Sequence, residues 1–184
     1  MRKEIVDIFE KYDKKKGEWE NAKYLRYCLL SAKSRGHVGE EFYRLYLQDN
    51  NFKFENATNT DYDLQVENKR KEIKTCSAYY EGKTKRRCKF TAFQIRQFQG
   101  YDNVVLVLIY PNTIEFWETS SVEILNFINQ KRITPIWAGG KKKKKTCNGD
   151  FSKCDLFHFS FDEKDKEKLF KYIGVLKDNE NFDC

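Results

Sequence analysis

The chain has 184 residues, 16% of them aromatic, with 15 Phe and 11 Tyr, enough for one domain with a real core. Its net charge of +7 favours a polyanionic partner over a basic or neutral one. No run of about 18 apolar residues is present, which excludes a spanning helix, and no apolar stretch of the signal-peptide kind opens the chain, so the expectation is a soluble, cytoplasmic protein with no membrane partner.

Residues 2 to 14 carry Ile5, Ile8, Phe9 and Tyr12 at helical spacing, and Lys14, Lys15, Lys16 and Gly17 end that stripe. Residues 18 to 34 predict a second helix, with Ala22, Leu25, Leu29 and Ala32 on one side, so residues 1 to 35 read as a helical pair. A third helix is expected to start after Arg35 and Gly36, bearing Val38, Phe42, Leu45 and Tyr46, with His37 in the loop before it. Glu40 and Glu41 fall in its first turn, where acidic residues suit the helix dipole. On a helical wheel Glu41 flanks the apolar stripe and Glu40 lies nearly opposite to it. Residues 48 to 60 are polar and Asn-rich, a loop with a short strand near Phe52 to Phe54.

The most informative stretch runs from Asp61 to Cys76. Leu64 and Val66 alternate with Asp63 and Gln65, and Ile73 alternates with Glu72 and Lys74. A hairpin closing symmetrically at Asn68 and Lys69 would set Val66 against Lys71, Leu64 against Ile73 and Asp63 against Lys74. Leu64 and Ile73 would then share the buried face, and Asp63, Glu72 and Lys74 the polar one. Two neighbouring carboxylates repel unless a cation lies between them. An all-oxygen set of this kind suits Mg²⁺.

After Cys76 the segment from Lys83 to Lys89 contains five basic residues, Lys83, Lys85, Arg86, Arg87 and Lys89, with aromatics at both ends. Such residues neutralise phosphates, and Arg can also read guanine edges. Residues 91 to 100 predict a helix from Thr91 to Gly100, with Phe93, Ile95 and Phe98 apolar and Gln94, Arg96 and Gln97 free for contact. Asn103 to Tyr110 is an apolar, β-branched run that reads as a strand buried on both faces. Pro111 and Asn112 turn the chain into a partner strand at 113 to 118, and Ser120 caps a helix through about Asn129. Gly139 and Gly140 introduce a lysine run that includes Lys141 and Lys142, a candidate phosphate clamp; it lacks the spacing of a phosphate-binding loop. Phe157, Phe159 and Phe161 alternate as a last strand, and residues 162 to 177 predict a closing helix. The six cysteines lack paired CxxC spacing and are expected to be reduced. Cys147, Cys154 and His158 are spaced too loosely for a zinc knuckle, and would need a fourth ligand from elsewhere.

Asp63 followed by Glu72, Ile73 and Lys74 resembles the PD-(D/E)xK nuclease motif, with Tyr62 in place of the proline. Other acidic-x-Lys triplets occur, at Asp13, Glu67, Glu81 and Asp162, but only Glu72-Ile73-Lys74 has an apolar centre and an Asp-bearing strand just before it. The resemblance spans roughly residues 36 to 120 and rests on motif and element order. It implies an α/β fold with a mixed central sheet flanked by helices, a restriction-endonuclease-like core over 36 to 130 and a C-terminal loop, strand and helix over 131 to 184. It implies Mg²⁺ at Asp63, Glu72 and Ile73, a water-positioning Lys74, and a helix carboxylate, Glu40, aimed at the metal. Among such enzymes the small size looks most like a stand-alone type II restriction endonuclease, a homodimer on double-stranded DNA. A repair nuclease or junction resolvase shares the chemistry. A non-catalytic nucleic-acid binder, or a basic protein acting on RNA, are the expectations from other classes.

Overall fold

The apolar run at 103–109 can bury both faces, and it becomes the interior of a mixed sheet, with six of its seven residues buried. The computed structural model describes residues 19–81, 87–96, 99–130, 134–135 and 156–177. The expected helix at 2 to 14, the lysine run with Lys141 and Lys142, and Lys83, Lys85, Arg86, Gln97, Cys147 and Cys154 lie outside them.

The described strands are Phe54–Asn56 (β1), Leu64–Val66 (β2), Lys69–Ser77 (β3), Tyr79–Glu81 (β4), Arg87–Arg96 (β5), Asn103–Ile109 (β6), Ile114–Ser120 (β7), Thr134–Pro135 (β8), Leu156–Asp162 (β9) and Lys171–Val175 (β10). The helices are Leu25–Leu29 (α1), Ala32–Asp49 (α2), Ser121–Asn129 (α3) and, after a 3₁₀ turn at Glu163–Asp165, Lys166–Leu169 (α4). Six strands form one sheet in the order β1-β2-β3-β6-β7-β10. Only β3 and β6 run parallel in it, paired from Lys71 with Asn103 to Ser77 with Ile109. A second, antiparallel sheet has the order β4-β5-β9-β8. The architecture is thus mixed α/β: helix α2 packs against β3 and β6 of the six-stranded sheet, α3 against β7, and β5 of the second sheet against β3.

Four elements differ from the sequence expectation. Helix α2 is continuous from Ala32 to Asp49 and carries Arg35, Gly36, His37 and Gly39 within it. Ser31 caps it, accepting the Ser34 N–H at 3.1 Å. The expected helix at 18 to 34 shrinks to the five residues of α1. The segment expected as a helix at 91 to 100 is the second half of β5 through Arg96. Phe90, Ala92 and Ile95 pair with Phe161, Phe159 and Phe157 across β9, and a bulge between Ala92 and Ile95 turns strict alternation into a spacing that mimics a helix. The closing helix breaks at Phe170, and Lys171–Val175 joins the edge of the main sheet beside β7. There the Tyr46 hydroxyl donates to the Ile173 carbonyl and the Tyr46 ring lies against Gly174.

Gly39 explains how α2 reaches the sheet. A Cβ there would run into the Thr75 side chain on β3. Thr75 is β-branched and stiff about χ1, so it cannot swing clear. Gly39→Ala should therefore lower stability by about 1–2 kcal/mol, overpacking of about 1–3 kcal/mol outweighing up to about 1 kcal/mol of helix propensity. Gly36 has nothing within 4 Å of its would-be Cβ, so Gly36→Ala should leave stability equal or higher. Thermal melts of the two variants check the contrast.

Candidate active site

The hairpin turns at Glu67 and Asn68, whose φ values of 48° and 64° are what a two-residue type I′ turn requires. Val66 therefore faces Lys69, and Leu64 faces Lys71, two residues from the expected partners. A two-residue slide keeps every side chain on its face, so Leu64 and Ile73 remain buried. It changes who meets Asp63. The Asp63 N–H donates to the Lys71 carbonyl at 2.9 Å, and the Ile73 N–H donates to Asp63 Oδ2 at 2.7 Å. These two bonds straddle Glu72, so Asp63 sits beside Glu72 rather than Lys74.

Strand β2 covers only Lys69 to Lys71 of the nine-residue β3. From Ile73 onward that edge of β3 has no strand partner among the described residues, and the Asp63 carboxylate takes the place of one. The N–H and C=O of a residue in a strand point to the same edge, so the Ile73 carbonyl also points to this open side. A cleft of about 1400 Å³ opens here between α2 and the β4–β5 arm. Glu40, Asp63, Ile73 and Lys74 line it together with His37, Lys89 and Gln94. Glu41 faces a separate depression of about 590 Å³ that shares only Asp63 with the cleft, and it is held by Arg44 at 2.6 Å. The geometry thus sets Glu40, not Glu41, in the same cleft as the hairpin residues.

Glu72 is 8% exposed and is bonded to the Lys74 ammonium. The expectation of an open polar face is corrected: the second sheet lies over this side, and its Arg96 adds positive potential at Glu72. Burial, and then the neighbouring Asp63 charge, raise the Glu72 pKa above its ordinary value against the pull of Lys74. Glu40 is raised by burial first and by Asp63 second, with Arg44, His37 and Lys74 opposing. His37 Nδ1 lies 3.9 Å from Glu40 Oε1, and Arg44 Nη2 lies 3.8 Å from Oε2. Three carboxyl groups therefore compete electrostatically around one ammonium.

No family model, curated protein or solved structure matches the chain.

Among the described residues no three His, Cys, Asp or Glu side chains are grouped to hold a metal ion. Asp63, Ile73 and Glu40 line the cleft, while the Glu72 carboxylate lies buried beside them, bonded to Lys74. That set still fits Mg²⁺, which takes one or two carboxylates and keeps several waters. Of the expected nucleic-acid contacts, Lys89 and Gln94 line the cleft, although Lys89 is paired with Glu81 at 2.7 Å. Arg87 is engaged bidentately by Asp162, at 2.9 and 2.7 Å, so its guanidinium is used within the fold. Arg96 is exposed at the end of β5 and acts on Glu72. Sequence reasoning missed Arg35, Lys33 and Tyr79 as cleft residues. Arg35 was hidden by the assumed loop, whereas an aromatic beside the basic segment was a usable signal for Tyr79.

Proposed function

We propose that the protein is a Mg²⁺-dependent deoxyribonuclease that hydrolyses phosphodiester bonds at the Asp63–Glu72–Lys74 cluster. The observation that carries the reading is the open edge of β3, where Asp63 bonds the Ile73 main chain and brackets Glu72, whose carboxylate holds Lys74. The sheet order supports it: an antiparallel β1-β2-β3 meander followed by a parallel β6. The departure is the crossover from β3 to β6, made by β4 and β5 where the resemblance implies a helix.

In this reading Asp63, Glu72 and the Ile73 carbonyl would hold Mg²⁺, which when bound supplies charge stabilisation to the phosphate and the leaving oxygen. Lys74 Nζ, fixed by Glu72, donates to the attacking water and orients it toward phosphorus. Asp63 keeps Ile73 and Glu72 in register, so its loss would misplace both. Glu40 adds a third carboxylate, its pKa raised by burial and by the neighbouring Asp63 charge. Cleavage is direct attack of water on phosphorus, with no covalent enzyme intermediate.

The resemblance favours a type II restriction endonuclease acting as a homodimer on double-stranded DNA. The exposed aromatics of the cleft favour the second role, a repair nuclease or junction resolvase. Incubating supercoiled plasmid and a structured RNA with and without Mg²⁺ tests the reading. DNA cutting that needs Mg²⁺ is expected, with a discrete ladder for a restriction enzyme and structure-limited cutting for a repair enzyme. Metal-independent RNA degradation, or DNA binding without any cutting, would overturn it.

A further inference from the structure

Arg35 lines the cleft from the first turn of α2, and its Nε is buried with no hydrogen-bond partner among the described residues. A buried donor left unpaired costs stability unless a ligand completes it. The other wall carries a second irregularity. Strand β5 is bulged between Ala92 and Ile95, and Gln94 sits at φ 60°, a region that strains a non-glycine residue. Bulges re-aim side chains near sites, and here Phe93 turns outward, 59% exposed, with its ring 6.0 Å from His158. Tyr79 on β4 is 63% exposed. Both rings line the same cleft as Arg35, Lys33 and Lys89. Exposed aromatic faces beside cations suit a ligand that alternates bases with phosphates.

We propose that this cleft binds an unpaired DNA strand, with bases stacked on Tyr79 and Phe93 and a phosphate on Arg35. Bases in a continuous duplex are stacked on one another and present no free face. The inference rests on the nuclease reading for its substrate class, and narrows it to strands, flaps or frayed ends.

Anisotropy of a labelled oligothymidylate of about 15 nucleotides, against a duplex of equal length, in EDTA, tests binding apart from cleavage. The single strand should bind at least about tenfold more tightly than the duplex. Tyr79→Ala and Phe93→Ala should each weaken strand binding about tenfold with the salt slope unchanged. Arg35→Gln should weaken it and reduce the slope by about one. Tyr79→Leu and Phe93→Leu, which keep an apolar side chain but no ring face, should weaken it similarly, separating stacking from folding. Equal or tighter duplex binding, tighter binding of an oligouridylate, or variants that bind like the parent protein would overturn the proposal. Strand binding without cleavage under any condition would sink the nuclease reading and leave this one; duplex cleavage without strand preference would do the reverse.

Discussion

Asp63→Asn and Lys74→Met should each reduce Mg²⁺-dependent plasmid cleavage by about 10²–10⁴-fold, the range seen when a transition-state donor or proton-transfer group is removed. The two losses have different causes. Asparagine in place of Asp63 would keep a carbonyl oxygen for the Ile73 N–H, which Asp63 now accepts at 2.7 Å, while losing the negative charge a divalent ion needs. Methionine in place of Lys74 would keep the length of the lysine stem but release Glu72 from its cation. Glu72 is buried, so that change should also register as lost stability, limited because a carboxyl in that setting can take up a proton. Melting curves recorded beside the cleavage assay separate the two effects. Glu40→Gln should slow cutting as well. Glu41→Gln should cut like the parent protein, because Glu41 is 66% exposed and tied to Arg44 outside the cleft. Full activity in Asp63→Asn would remove the proposed site altogether.

Without a divalent ion, stability should fall as pH rises above the ordinary Glu value of 4.5. Glu72 and Glu40 both have folded pKa values raised above that value, so between it and the raised values the folded chain binds more protons than the unfolded chain. Stability then decreases with pH through that window and stays lower above it. An ion held by the deprotonated carboxylates reverses the penalty. At a concentration a hundredfold above Kd, Mg²⁺ should stabilise by about 2.7 kcal/mol, or several degrees in Tm for a chain of this size. The Mg²⁺-dependent rise in Tm should be large at neutral pH and shrink as pH falls toward 4.5. In Asp63→Asn the Mg²⁺ effect should disappear and the pH slope become somewhat shallower, since the Asp63 charge that adds to burial in raising both neighbours is gone while burial remains. A Mg²⁺ effect of equal size at every pH, or one that survives in Asp63→Asn, would show that the ion binds elsewhere.

Local patterning was enough for much of the sheet. The 103–109 strand, its partner at 114–120, the Ser120-capped helix and the aromatic strand at 156–162 all follow from hydrophobic period and turn chemistry. The hairpin and the burial of Leu64 and Ile73 were equally legible, because a face survives a slide of two residues. The neighbours of Asp63 were not, because they depend on which two residues occupy the left-handed turn, and Glu67 is a poor candidate on propensity alone.

Three features needed partners distant in sequence. Two glycines inside α2 suggested a helix start, yet packing of Gly39 on Thr75 sustains the helix through them and carries Glu40 to the cleft. The β5 bulge disguised a strand until β9 supplied its pairing ladder. The last strand looked helical until the edge of β7 and Tyr46 received it. Residue order establishes which chemistry is available: two carboxylates, a lysine and a basic, aromatic surround. Long-range packing establishes their environment, because desolvation and charge proximity at Glu72 and Glu40 arise only when α2, the hairpin and the second sheet close around one strand edge.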